Sequence, residues 1–329
     1  MTANEANYKR AQVIRSAQRV FSCAFLDTLE VVEATAKGNL LKGDTVVVGD
    51  FVNLSFYEES GEYSIEEVLP RESEIFRISV REQKKKVTAA NCSLLVILSS
   101  VSKPQFKQGI VDRFLVRACQ WGIKPIVVFN KCDQLDDSET DILWEQKRLE
   151  PLGVECFEVS ALKGEEYGPR FLEKGWVELK ETLKERTAIF LGQSGVGKSH
   201  TITSLADGKV ELKTHKVGKV GKGSHTTTWS ELLYLPTFKL IDSPGIRSFS
   251  LEDIDPEEMI SFFPDLEEIA IHCKFNNCHH EENSKGCAFW QRAKTEWSDQ
   301  ETERIFSRLE SFKRISEEVS QNPQWSKNL

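Results

Sequence analysis

Gly192-Gln193-Ser194-Gly195-Val196-Gly197-Lys198-Ser199 is the stretch on which the fold turns. A short apolar run, 188–191, precedes it, and a helical segment beginning near His200 follows. Glycines at these positions let the backbone curl so that its N–H groups face phosphate oxygens. Lys198 is then placed to reach the β- and γ-phosphates, and Ser199 to ligate Mg2+. A strand, a glycine-rich loop and a helix in that order predict a phosphate-binding α/β domain.

Outward from this loop, 94–99, 126–129 and 155–159 read as short buried strands. Between the first two, Ile110, Val111, Phe114, Leu115 and Ala118 fall on one helical face. Alternation of this kind predicts a parallel sheet over 86–250. The second strand ends in Asn130-Lys131-Cys132-Asp133, an N-K-x-D element. The Asp133 carboxylate can accept from the ring N–H and exocyclic amine of guanine, a donor pair that adenine lacks. The third strand ends in Ser160-Ala161, whose backbone is expected to support the base.

Downstream, 231–235 and 238–241 read as strands, and the second runs into Asp242-Ser243-Pro244-Gly245. Asp242 is expected to hold Mg2+ through water, and the Gly245 amide to meet the γ-phosphate. His225-Thr226-Thr227-Thr228 lies between the phosphate loop and this element, where the first switch belongs. One threonine completes the Mg2+ shell. The choice among the three stays open, with Thr227 carried as the candidate. The residue after Gly245 is Ile246, and an aliphatic chain cannot orient a water molecule. Intrinsic hydrolysis is expected to be slow, with His225 the nearest titratable substitute.

The guanine-reading motif therefore comes first in the chain and the phosphate loop later, the reverse of an ordinary G protein. Permutation leaves every loop at the C-terminal edge of one parallel sheet, where open α/β folds bind ligands.

The flanks differ from this centre. Residues 1–85 carry β-branched, apolar runs at 45–48, 51–56 and 63–68, punctuated by Gly43, Gly49 and Gly61. A small five-stranded barrel fits, of OB or SH3-like type. Residues 251–329 hold Cys273, Cys278, His280 and Cys287, three thiols and an imidazole sufficient for a tetrahedral, structural Zn2+ site. His279 is the rival imidazole and His272 a poorer one. Beyond them, Ile305, Leu309, Phe312 and Ile315 mark an amphipathic helix over 302–319.

Composition narrows the function classes. Hydrophobic residues make up 40% and charged residues 29%, as in a soluble globular protein. No apolar run reaches the roughly 18 residues that would cross a bilayer, and no signal peptide is visible. With eight cysteines and no secretory signal, a reducing cytoplasmic setting is expected. Residues 251–329 hold 17 acidic and 9 basic side chains, which accounts for the whole net charge of −8. Bulk charge thus argues against a general nucleic-acid binder, and local patches must carry any RNA contact. Lys209, Lys213, Lys216, Lys219 and Lys222 form one such patch, and the run 81–86 is a weaker one.

Taken together, these motifs resemble the ribosome-small-subunit-dependent GTPase A family. The resemblance covers nearly the whole chain. It rests on Val48-Gly49-Asp50, Leu69-Pro70-Arg71, Asp112-Arg113-Phe114-Leu115, the N-K-x-D element and the phosphate loop. It also takes in Gly223-Ser224-His225-Thr226-Thr227-Thr228, Asp242 to Gly245 and the cysteine cluster. Ser224 stands where the family usually has Arg, and the last cysteine sits one residue further out.

The resemblance implies an OB barrel (1–85), a circularly permuted GTPase domain (86–250) and a zinc domain with a C-terminal helix (251–329). It implies one structural Zn2+ per chain and Mg2+ with GTP. It further implies GTP hydrolysis in late maturation of the 30S subunit, on its 16S rRNA and stimulated by it. A monomer is expected, with no membrane partner. Two other classes remain open from the residues alone: an RNA-binding assembly factor with a hydrolytically weak G domain, and another P-loop phosphotransferase.

Overall fold

Five N-terminal strands close on themselves: β1 (Lys9–Ala17), β2 (Val20–Phe25), β3 (Val31–Ala36), β4 (Phe51–Tyr57) and β5 (Glu62–Val68). They belong to a computed structural model that describes residues 8–17, 20–38, 40, 46–79, 84–137, 139–208, 230–242 and 250–321. The barrel runs β1-β2-β3-β5-β4 and back to β1. Every pairing is antiparallel except β3–β5, which is parallel. This closed order belongs to the OB type and excludes the SH3-like alternative. Alternate residues point inward, so Ala11, Val13, Val52, Leu54 and Ile65 fill the interior with Phe21 and Phe25.

Residues 46–48, the described part of the stretch 45–48, are not a strand, contrary to its β-branched composition. Its backbone is spent on a turn: the Val47 amide donates to the Asp50 carboxylate at 2.8 Å, and the Gly49 amide donates to the Val13 carbonyl at 2.8 Å. Arg71 clamps the buried Asp50 from both nitrogens of its fork, at 2.7 and 2.9 Å. Val46 joins the barrel core, while Val48 joins the central core and makes one isolated bridge to Ala89.

A hairpin follows, β6 (Glu74–Ser79) and β7 (Lys84–Ala90). Its Ile75 and Ala89 pack into the central core, and the Phe76 carbonyl accepts from the Trp121 indole at 2.9 Å. The expected boundary between residues 85 and 86 falls inside β7.

The central domain comprises β8 (Leu94–Ser100), α1 (Gln108–Trp121), β9 (Lys124–Asn130), α2 (Ile142–Leu149), β10 (Glu155–Glu158) and α3 (Trp176–Leu183). It continues through β11 (Thr187–Leu191), α4 (Lys198–Leu205), β12 (Glu231–Tyr234) and β13 (Lys239–Asp242). Strands β10-β9-β8-β11-β13 are parallel, and β12 adds an antiparallel edge. Residues such as Leu95, Ile97, Val127 and Ile189 face α1, while Leu94, Val96, Val128 and Phe190 face α3 and α4. Both faces are covered, which is why these strands read as unbroken apolar runs rather than alternating ones. A pairing of Arg15 with Glu231 joins barrel to sheet, and Gln12 of β1 accepts from Tyr234 at 3.1 Å and Lys239 at 2.9 Å.

The C-terminal part holds α5 (Pro264–Ala270), α6 (Ala288–Thr295) and α7 (Asp299–Ser320) around Met259, Phe263, Leu266, Phe289, Leu309 and Ile315. Helix α7 begins at Asp299, three residues before the expected start at 302, because Ser298 and Glu301 cap each other's backbone amides, at 3.3 and 2.9 Å. A buried polar cluster holds α7 on the central domain. Asp112 on α1 receives Arg148 of α2 at 2.9 Å, Ser311 of α7 at 2.5 Å, and Arg308 of α7. Arg308 also reaches Asp265 of α5 at 2.9 Å. Among the described residues, no helix is long and apolar enough to cross a membrane.

Candidate nucleotide and metal sites

Strands β10, β9, β8, β11 and β13 are neighbours and parallel, so the elements that follow β9, β10, β11 and β13 converge at one edge of the sheet. Asn130 ends β9 and is almost wholly buried. Its amide nitrogen donates to the Val196 carbonyl in the phosphate loop at 2.9 Å. Its side-chain oxygen accepts from the Ala161 amide at 2.9 Å. One side chain thus ties together the N-K-x-D element, the Ser160-Ala161 turn and the phosphate loop. Gly197 makes room for it: its φ is +101°, and a Cβ there would stand 2.5 Å from the Asn130 nitrogen. Any side chain at this position would be strained and would push the Asn130 amide out of place.

Lys131 lies across the loop, its ammonium donating to the Gly195 carbonyl at 2.8 Å and to the Lys103 carbonyl. Lys198, the first residue of α4, donates to the carbonyls of Gly192 at 2.6 Å and Gln193 at 2.9 Å. Its ammonium therefore sits within the curl of the loop. Ser194, Gly195 and His200 are exposed, and Ser199 and Asp133 are half-buried. Asp242 closes β13 at the same edge.

Two motif positions serve the fold through their side chains. The Cys132 thiol is fully buried 3.2 Å from the Phe129 carbonyl, and burial pushes its pKa up to about 12. Its amide donates to Val159 at 3.1 Å, which draws the end of β9 toward β10. Val196 packs with the apolar cluster under α4. His225, Thr226, Thr227, Thr228, Gly245, Ile246 and the lysines from Lys209 to Lys222 lie outside the described residues.

Sequence reasoning missed two supports. Thr201 is fully buried on α4 and accepts from Asn130 at 3.4 Å. Glu158, the buried last residue of β10, accepts the amides of Arg170, Phe171 and Leu172 at 3.0, 2.8 and 2.9 Å. Burial pushes the Glu158 pKa up, but those amides and the Tyr167 hydroxyl outweigh it and hold it below the usual carboxylate range. A carboxylate directly after the buried pair Cys156-Phe157 was the available signal.

The ligand atoms of Cys273, Cys278, His280 and Cys287 all lie within 4.8 Å of one another, a group that could hold one metal ion. The Nδ1 atom of His280 is 3.6 Å from the Cys273 sulfur and 3.8 Å from the Cys287 sulfur. His280, rather than His279, thus supplies the imidazole. Its carbonyl accepts from the Trp290 indole at 3.1 Å and from Lys313 at 3.0 Å, which fixes the backbone behind the ring. Burial, aided by Lys313 and His279, pulls its pKa below the usual value, favouring the neutral ring that ligates metals. Gly286 closes the far side at φ +74°, where a Cβ would meet the Lys274 side chain at 2.6 Å.

A phosphate loop between β11 and α4, bonded to an N-K-x-D element that precedes it in the chain, defines the class: a P-loop GTPase with a circularly permuted G domain. The particular family follows from comparison with known proteins, and the chain belongs to the RsgA GTPase family. The model of that family matches residues 68–252. The small ribosomal subunit biogenesis GTPase RsgA of Bacteroides fragilis is 35% identical over 271 residues, covering 80% of this chain and 84% of that protein. Its counterpart in Flavobacterium psychrophilum is 34% identical, over 78% of this chain and 79% of that one. Two solved structures share the fold. YjeQ from Thermotoga maritima has a TM-score of 0.71 at 24% identity, covering 96% of this chain and 99% of that one. YloQ, described as a circularly permuted GTPase, has a TM-score of 0.68 at 22% identity, covering 97% and 98%.

Proposed function

We propose that this chain hydrolyses GTP to GDP and phosphate in late maturation of the small ribosomal subunit, with hydrolysis stimulated by the subunit. The observation that carries the reading is the pair of Asn130 hydrogen bonds, which joins the base-reading and phosphate-binding elements in one site. In this reading Asp133 and the Ser160-Ala161 backbone hold guanine, with Asn130, Lys131 and Cys132 shaping the slot. The loop from Gly192 through Ser199, with His200 behind it, wraps the phosphates. Lys198 neutralises charge developing between the β- and γ-phosphates. Ser199 and Asp242, with Thr227, hold Mg2+, and the Gly245 amide meets the γ-phosphate. His225 is the proposed group that orients the attacking water.

The four-residue cluster is assigned one structural Zn2+, because three thiolates and one imidazole fill a tetrahedral shell and leave no open position. The protein acts as a cytoplasmic monomer on the 30S subunit and its 16S rRNA. We assign residues 1–85, 86–250 and 251–329 to barrel, GTPase and zinc units, with the hairpin β6–β7 serving the central one.

Base reading is tested with Asp133→Asn. The substitution removes two hydrogen bonds to a charged acceptor, about 3 kcal/mol or more, so GTP affinity should fall ~100-fold or further. Xanthosine triphosphate, with an oxygen in place of the amine, should bind the variant better than GTP does. Unchanged GTP affinity would remove Asp133 from the base slot.

The assignment to the subunit is tested by co-sedimentation. The form loaded with a GTP analogue should bind 30S more tightly than the GDP form, typically by 5- to 150-fold, roughly the range of allosteric couplings. Neutralising Lys216, Lys219 and Lys222 together should weaken binding and flatten its salt dependence. Equal affinity of the two nucleotide forms would eliminate the switch.

A further inference from the structure

Asp242 closes β13, and the next described residue of the chain is Ser250. From there the chain is held firmly. The Ser250 carbonyl accepts from Arg117 of α1 at 2.5 Å. Asp253, almost fully buried, takes both nitrogens of the same guanidinium, at 2.6 and 3.2 Å. Leu251 and Ile254 pack on Val116 of α1 and on the C-terminal core.

Asp253 has another partner. Its Oδ2 accepts the backbone amide of Ile78, on β6, at 3.1 Å. One turn along α1, the Trp121 indole donates to the carbonyl of Phe76. Strand β6 therefore hangs from α1 and from the segment after the D-x-P-G element at one carboxylate. Its partner β7 begins with Lys84, Lys85 and Lys86, all exposed, and Arg77 is half-buried beside Arg117 and Asp253. A basic hairpin and the exit of the second switch thus share a single buried junction.

We infer that Asp253, with Arg117, is a positioning residue that makes the pose of the β6–β7 hairpin depend on the nucleotide. Asp253 touches neither the phosphate loop nor the base-reading elements. Its buried charge is satisfied only while Arg117 and the Ile78 amide stay in place, so displacement of 250–254 must be followed by β6 or must break a buried charged contact. Sub-ångström shifts at a nucleotide are passed on in this way when a packed junction has two discrete arrangements.

The test uses the full chain and two readouts. Hydrogen exchange of the 74–79 and 84–90 amides is compared between GTP-analogue and GDP forms, for the unaltered protein, Asp253→Ala and Asp253→Asn. The unaltered protein should show a nucleotide-dependent difference. Asp253→Ala should abolish it, and Asp253→Asn, which keeps an acceptor for Ile78, should retain part of it. Turnover is then measured with and without 30S subunits, a readout that rests on the function proposed above. Asp253→Ala should lower stimulated turnover about tenfold while intrinsic turnover and GTP affinity stay within about twofold. Identical hairpin exchange in the two nucleotide states of the unaltered protein would overturn the inference. So would a loss of intrinsic and stimulated turnover by the same factor, since a merely structural residue behaves that way. Absence of any stimulation in the unaltered protein would instead count against the proposed function, and hairpin exchange alone would then decide the role of Asp253.

Discussion

Stripping zinc from the cluster of Cys273, Cys278, His280 and Cys287 is expected to unfold the segment around it while the chain continues to bind GTP. Binding energy at such sites is folding energy, about 10 kcal/mol or more in apparent terms near neutral pH. Apart from the Trp290 and Lys313 hydrogen bonds to the His280 carbonyl, the segment has little apolar packing to hold it. Ile271 and Phe275 are exposed at 71% and 49%, and the buried apolar side chains nearby belong to Cys287, Ala288 and Phe289 at the start of α6. Burial pushes the Cys273 thiol up to about 11 and raises Cys287 as well, so the metal must displace thiol protons to bind. Apparent affinity should therefore fall as pH falls. Unfolding should stop at this segment, because α7 is held to the central domain by Asp112, which does not involve the metal. Cys278→Ala is the matching variant. Metal analysis should give one zinc per chain, and hydrogen exchange should rise over 271–290 on chelation. Cleanly purified protein without zinc would refute the assignment, and loss of GTP binding together with the metal would refute the independence of the two units.

The nucleotide elements are legible in the sequence because their chemistry is local. A phosphate loop needs glycines at fixed steps, and an N-K-x-D element needs its residues at one strand end, so short stretches carry the reading. Doubly covered strands are legible for a similar reason: both faces of β8, β9 and β11 are buried, and the centre of each is a continuous apolar run. The stretch 45–48 shows the opposite case. Its composition favours a strand, yet Asp50 and Arg71, far apart in the chain, commit its backbone to a turn. The expected boundary splits the hairpin β6–β7 because nothing local tells whether Ile75 and Ala89 bury against one core or the other. Glu158, Thr201 and Asp253 escape a sequence reading because each matters through a partner distant in the chain. His280 and His279 are equivalent by spacing, and only the convergence of Nδ1 with the cysteine sulfurs separates them.

Asp112→Ala is expected to destabilise the chain by about 3–5 kcal/mol, the usual consequence of removing one member of a buried ionic group. Asp112, Arg148 and Arg308 are at 0%, 0% and 1% exposure, so water cannot replace the lost carboxylate. Arg148 would keep Glu145 and Arg308 would keep Asp265, but the two guanidiniums would face each other across the vacated position. Among the described residues, the Nη2 of Arg148 has no hydrogen-bond partner even with Asp112 present, so losing Asp112 adds to an existing deficit of acceptors. The loss should appear first as faster hydrogen exchange in α7, because Arg308 and Ser311 are what that helix contributes to the contact. The pH dependence has a definite sign. Burial pushes the Asp112 pKa up, but Arg148 and Arg308 outweigh it and hold it below the usual carboxylate range. Its ionic contribution is fully present above the unfolded value of roughly 3.9 and is lost as pH falls through the lower folded value. Glu145, raised by burial, runs the other way and blunts the acid limb. Urea unfolding of the unaltered chain and of Asp112→Ala, at pH 7 and again near pH 3, measures both effects. The difference should be large at the first pH and smaller at the second. A difference below about 1 kcal/mol at pH 7 would mean that α7 is held to the GTPase domain by contacts other than the Asp112 cluster, such as apolar packing and the Gln108–Ser307 and Arg113–Glu318 pairs.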